Sequence, residues 1–278
     1  MCSGTRAADY TASMDLLLEN TRCRVRVAAA HGGRIASLNV LGEELLVDAN
    51  DDPLAWGSYP LAPWAGRLRD GRFHFDGHAR HIVQAGVRHP MHGTVLTRAW
   101  ERTATDTLRC GFGSDWPFGG FALQRFTLAD DYLSVRLELH AEHTSYPASA
   151  GFHPWFRRRL TRGGLLRLHC DAAMRAVLDR DGLPTGALLP ATRRDGDECL
   201  TALRQDPCLH WPGALRLEIG SSHPWWVVYE KPQHALCVEP WTAPPDALNS
   251  QPAIVHPGAP LVLEMRLRWR SDDADECA

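Results

Sequence analysis

Apolar and polar residues alternate with a period of two over much of the chain. Leu133, Val135, Leu137 and Leu139 are interleaved with Ser134, Arg136, Glu138 and His140. Leu215, Leu217 and Ile219 flank Arg216 and Glu218, and Leu261, Leu263, Met265, Leu267 and Trp269 enclose Val262, Glu264, Arg266 and Arg268. Successive side chains of a strand leave opposite faces, so these stretches predict strands with one face on a core and one towards water. Cys23, Val25 and Val27 predict an early strand. Phe73 and Phe75 run into Asp76-Gly77, a hairpin signal, which places Ile82 and Val83 on the returning strand.

No segment sustains the i, i+3, i+4, i+7 apolar pattern of a capped helix. The 23 glycines and 19 prolines break the chain at short intervals. Together these features predict an all-β sandwich or barrel with few short helices. No repeat, low-complexity linker or composition shift divides the chain, so one domain over residues 1–278 is the simplest organisation. Residues 1–20 read as an N-terminal extension and 271–278 as a tail. The least regular stretch, Asp171 to Thr201, reads as a long excursion.

Composition then narrows the partners. A chain of 278 residues with 44% hydrophobic and 23% charged residues can bury a large core. The net charge of −3 shows no basic excess and argues against nucleic acid. No run of ~18 apolar residues predicts a membrane helix, and Leu16–Leu18 is too short for a signal-peptide core. The eight cysteines, at 2, 23, 110, 170, 199, 208, 237 and 277, form no Cys-x-x-Cys pair. They read as reduced thiols of a cytoplasmic protein rather than zinc ligands. Lys231 is the sole lysine among 30 Lys and Arg residues.

Four segments depart from strand patterning and concentrate reactive side chains. Tyr59-Pro-Leu-Ala-Pro-Trp64-Ala-Gly-Arg67-Leu-Arg-Asp-Gly71 presents Trp64 and a guanidinium fork able to donate several hydrogen bonds. His89-Pro-Met-His92-Gly93 has a two-residue histidine spacing. On an extended segment residues three apart face opposite ways, and no acidic or Cys partner lies nearby, so a metal site is not expected. Gly151-Phe-His153-Pro-Trp155-Phe156 sets a histidine among aromatics, with an ordinary pKa of about 6.5 suited to proton transfer. In Cys237-Val-Glu239-Pro-Trp241-Thr-Ala-Pro-Pro-Asp246-Ala-Leu-Asn249 a carboxylate ends an apolar strand, and an inward side chain would have its pKa raised by desolvation. Taken singly, each has a plain structural reading: a solvated Arg, packed histidines, an exposed Glu. The tryptophans in three of these segments offer flat apolar faces, on which a sugar ring packs while its hydroxyls take hydrogen bonds.

In order and spacing these segments resemble the aldose 1-epimerase (galactose mutarotase) family, especially its shorter bacterial members, from about residue 23 to 269. Gly32-Gly-Arg-Ile-Ala-Ser37 resembles the family's early strand and turn, and Pro60 to Gly77 its arginine loop and hairpin. His92-Gly93 and Gly151 to Phe156 match its two histidine motifs. Asp206-Pro-Cys-Leu209, followed by Trp211-Pro-Gly213, resembles the segment of the sugar-binding aspartate, and Glu239 to Asn249 matches the glutamate motif. The resemblance implies a β-supersandwich and a metal-free reaction without cofactor. Glu239 would act as base and His153 as acid, with Arg67, His92, Asp206, Trp64, Trp155 and Trp241 holding the sugar. Two departures stand out: Gly66 where the family commonly has Asn, and Pro207 and Leu209 where a polar residue and an aromatic are usual.

Three other readings remain. A glycoside hydrolase would use Asp206 and Glu239 as its carboxylate pair but leaves the histidines without a role. A hexose-6-phosphate epimerase would need converging arginines, whereas Arg157, Arg158 and Arg159 alternate faces on a strand. A non-catalytic sugar-binding protein would not need both His153 and Glu239. The identity of the aldose, and the choice between monomer and homodimer, are not encoded in any motif.

Overall fold

The computed structural model describes residues 15–192 and 196–272. Two large antiparallel sheets dominate it, one of eleven strands and one of eight. In the eight-strand sheet, Tyr132–His140 lies between Phe121–Leu128 and Leu261–Ser271, and Leu215–Ser221 pairs with the other edge of Leu261–Ser271. The period-two residues meet in register, Leu133 with Leu267, Val135 with Met265 and Leu137 with Leu263. They are all at most 1% exposed.

The eleven-strand sheet supplies the other half of the core. Along Gly151–Arg157 and Ala235–Trp241, Phe152, Phe156, Leu236 and Val238 face the eight-strand sheet and join the shared cluster with Val25, Val27, Leu133 and Leu263. Burying each such side chain contributes roughly 1.5–3 kcal/mol. The intervening residues of the same strands, Trp155, Cys237 and Trp241, belong to a second cluster on the opposite face, with Tyr59 and Cys199. Both faces of these central strands are therefore covered, and their residues are buried with almost no break.

Helical content among the described residues is limited to three-residue 3-10 turns at Ala29–His31, Arg69–Gly71 and Ala247–Asn249. Among the described residues no helix is long and apolar enough to cross a membrane. Three sequence expectations need adjusting. The stretch read as an excursion instead holds three strands, Ala172–Leu178, Pro184–Pro190 and Asp197–Leu203, which extend the eleven-strand sheet at one edge. Pro184–Pro190 is the outermost of these and almost wholly exposed, so its burial carries no alternation to read. The hairpin returns as His78–His81 and stops before Ile82 and Val83. Leu16–Glu19, within the segment read as an extension, pairs with Cys23–Ala28 as the opposite edge strand. Residues 1–14 and 273–278 lie outside the described residues.

Candidate active site

Four strands build the site's floor. Ser58–Leu61, Gly151–Arg157, Ala235–Trp241 and Trp225–Tyr229 are consecutive in the eleven-strand sheet. Tyr59 sits opposite His153. The register that pairs Gly151 with Trp241 and Trp155 with Cys237 sets His153 across from Glu239 on one face. Pro154 and Pro240 follow the two residues directly and have no N–H to give to a ladder, which matches the interruption of pairing between those two register points.

His153 Nε2 lies 3.4 Å from Glu239 Oε1, and the two residues are 7% and 1% exposed. Trp241 Nε1 donates a hydrogen bond of 3.1 Å to Glu239 Oε2. The His153 ring is sandwiched by Tyr59 at 4.9 Å and Trp155 at 5.4 Å, and His92 meets it edge-on at 5.5 Å. These side chains line a cavity of about 400 Å³ with Arg67, Gly66, Asp197, Glu198 and Lys231, within the roughly 300–1,000 Å³ of small-molecule sites.

The arginine loop reaches the pocket because two other segments clasp it. Leu68 N–H donates to Pro90 O at 2.8 Å and His92 N–H to Gly66 O at 3.0 Å. From the other side Asp246 N–H donates to Arg67 O, and the Asp246 carboxylate accepts from Arg69 N–H at 2.9 Å and from Asn249. His92 sits at a turn with φ 66°, not on an extended segment, which directs its ring to the pocket. His89 remains outside it, accepting from Asp70 N–H through Nδ1.

Gly66 has a steric reason for departing from the family's usual Asn. Its φ is +69°, and a Cβ there would lie 2.7 Å from a Trp241 ring carbon. Trp241 occupies the space that a longer side chain would use.

Burial dominates the electrostatics. It pushes the Glu239 carboxyl well above the usual carboxylate range, against the Trp241 hydrogen bond and with a further push from Asp197. It pushes His153 well below its ordinary value, helped by neighbouring His92. Burial and then the Arg67 guanidinium bring His92 down to about 3. Burial thus favours a neutral pair, a protonated Glu239 carboxyl beside a neutral His153 imidazole.

His153, Cys237 and Glu239 place donor atoms within 4.8 Å of one another, the three-residue grouping among the described residues with metal-ligating types. Their chemistry fits a cation poorly, since burial and Glu239 also drive the Cys237 thiol well above its ordinary value.

Of the residues singled out from sequence, His153, Glu239, Arg67, His92, Trp155 and Trp241 converge on this cavity. Two do not. Asp206 is exposed and lines a different depression with Gly220, Ser222 and Arg266, because it leads into Cys208–Trp211 of the eight-strand sheet. Trp64 is 3% exposed and packs in the shared core against Trp116 at 5.8 Å. The arginine run also points elsewhere: Arg157 pairs with Asp48, and Arg158 donates to the carbonyls of Glu230, Pro232 and Ala235.

Sequence reading missed Asp197, Glu198 and Lys231, which bring two carboxylates and an ammonium to the cavity, with Lys231 Nζ 3.2 Å from Asp197. Asp197 and Glu198 begin a strand inside the stretch read as irregular. Lys231 carried one signal, its being the sole lysine.

Residues 14–268 match the family model for aldose 1-epimerase. The uncharacterized protein YihR of Escherichia coli (strain K12) is 25% identical over 250 residues, covering 79% of this chain and 81% of that protein. Among solved structures, the GalM/aldose epimerase homologue from C. elegans superposes with a TM-score of 0.77 at 18% identity, over 94% of this chain and 99% of the other. The galactose 1-epimerase from Lactobacillus acidophilus NCFM gives 0.74 at 15% identity, over 92% and 93%. The fold is galactose mutarotase-like, and the chain belongs to the aldose 1-epimerase family.

Proposed function

We propose that this protein is a mutarotase that interconverts the α and β anomers of an unphosphorylated aldose. The observation that carries this reading is the His153–Glu239 pair, 3.4 Å apart in a ring-lined cavity. Opening a pyranose requires one group to remove the O1 proton and another to protonate the ring oxygen. A pair holding one proton between two sites meets that stoichiometry.

When a sugar enters, its hydroxyls solvate the Glu239 carboxylate, and the proton crosses to His153 Nε2. Glu239 then takes the proton from the O1 hydroxyl while His153 gives its own to the ring oxygen, and the C1–O5 bond breaks to leave the open-chain aldehyde. Rotation about C1–C2 exposes the other carbonyl face. On closure O5 attacks C1, His153 recovers its proton and Glu239 returns one to O1. Each positioned proton transfer contributes about 10²–10⁴-fold, which suits a reaction that already proceeds in water. Arg67, His92, Asp197 and Lys231 orient hydroxyls, and Trp155 and Trp241 bear on the ring's apolar face.

Galactose and glucose are the first substrates to examine, and the cytoplasm is the compartment proposed. Magnetisation transfer between the α and β anomeric protons, with glucose 6-phosphate and an aryl glycoside alongside, tests the reading. Faster exchange in at least one free hexose, without reducing sugar released from the glycoside, is expected. Exchange unchanged by the protein for every free aldose overturns it.

A further inference from the structure

Arg34 is buried to 1% exposure on the strand Arg34–Val40, yet its hydrogen-bond partners are all neutral. Nε donates to His31 O at 2.7 Å, Nη1 to Pro53 O at 2.8 Å and Trp56 O at 3.2 Å, and Nη2 to Leu96 O at 3.0 Å. Its Cζ stacks 4.1 Å from the Trp56 ring centre and 4.9 Å from that of Tyr59. The same Tyr59 ring stacks at 4.9 Å on His153. Tyr59 is thus the shared neighbour of a buried cation and of the imidazole, which lie no more than two such contacts apart.

Burying the cation lowers stability, offset by its four hydrogen bonds to carbonyls and by attraction from the Asp52 carboxylate. Beyond those hydrogen bonds, the guanidinium supplies a fixed positive charge behind the ring. We propose that Arg34 is a positioning residue for His153: it fixes the Trp56 and Tyr59 rings and, through its charge, opposes a second proton on the His153–Glu239 pair, so that the pair keeps a single proton into mildly acidic solution. The consequence for rate rests on the mutarotase reading, while the consequence for His153 ionisation does not.

The groups around His153 divide by sign. Glu239 at 3.4 Å, from the adjacent strand, favours a protonated ring only when it is itself ionised. His92, edge-on at 5.5 Å with Arg67 beside it, opposes it, as does Arg34 behind Tyr59. Cys237, within 4.8 Å, and Tyr59 are held protonated and neutral by burial. Burial lowers Arg34 itself only to about 10, so its charge persists throughout the neutral and acid range.

The test is an NMR titration of the His153 ring, assigned by its loss in His153→Asn, in the wild-type protein, Arg34→Gln and Arg34→Lys. In the wild type the ring titrates well below its ordinary value. Arg34→Gln raises the midpoint by about one pH unit, a tenfold gain in proton affinity. The acid limb of the mutarotation profile moves by the same amount. Arg34→Lys retains the charge and the wild-type midpoint. An unchanged midpoint in folded Arg34→Gln overturns the proposal, and so does a wild-type ring titrating near 6.5. Where the Gln variant does not fold, an upward shift in Arg34→Lys overturns it. A wild-type protein inactive on free aldoses, but showing the midpoint shift, would refute the proposed function and leave the role of Arg34 standing.

Discussion

Replacing Trp241 by Phe removes the indole hydrogen bond to the Glu239 carboxylate, 3.1 Å long, while keeping an aromatic wall. A hydrogen bond to a charged group is worth about 1.5–3 kcal/mol. At 1.36 kcal/mol per pKa unit, its loss raises the proton affinity of Glu239 by about one to two units. The smaller ring also leaves a void, but that lowers stability in both protonation states and does not move the titration. Two effects follow for a pair that works with one proton. The alkaline limb of the mutarotation profile, where that proton is lost, moves up by about one to two pH units. On the plateau, the form with the proton on His153 becomes scarcer relative to that with the proton on Glu239, and kcat falls roughly 10–100-fold. The assay is polarimetry from pH 5 to 10 with spontaneous mutarotation subtracted. A lower plateau with an unmoved alkaline limb would reduce Trp241 to a wall and refute the electrostatic account.

Other outcomes follow from the same geometry. Gly182 has φ +72°, and a Cβ there would meet Arg67 Nη1 at 2.8 Å; Gly182→Ala therefore raises KM for the sugar about tenfold with kcat changed only severalfold, whereas an unchanged KM would detach Arg67 from binding. Asp206→Asn leaves mutarotation within about twofold of wild type, since Asp206 faces a separate depression; a large loss would restore it to the site. His92 is held at about 3 when folded, against an ordinary value of 6.5. The unfolded chain therefore binds the extra proton first, and stability present above pH 6.5 is lost as pH falls towards 3. Urea midpoints at pH 7, 5 and 4 should fall less steeply in His92→Asn than in wild type, and parallel declines would contradict this.

The strands of the eight-strand sheet were legible because one face is core and the other solvent, as with Leu133–Leu139 and Leu261–Trp269. The central strands of the eleven-strand sheet are buried on both faces, so Gly151–Phe156 and Ala235–Trp241 showed no alternation; they stood out through their chemistry and their Pro and Trp content. Pro184–Pro190 was illegible for the opposite reason, being an almost wholly exposed edge strand, and Ala172–Leu178 beside it is mostly half-buried. Convergence of His153 with Glu239 could not be read from spacing, since it depends on a pairing register between strands over 80 residues apart in sequence. Asp206 lies at a separate depression, and a motif's local sequence does not reveal which sheet receives it. Arg34 lay in a stretch that matched a family turn, and nothing in Gly32-Gly-Arg-Ile signals that its guanidinium is buried beside Tyr59.

The central claim is that His153 and Glu239 move the two protons of ring opening. Polarimetry of freshly dissolved α-galactose and α-glucose, comparing wild type with folded Glu239→Gln and His153→Asn, tests it most directly. The account predicts faster mutarotation of at least one sugar by the wild type and its loss in both variants. Full activity in Glu239→Gln would contradict it.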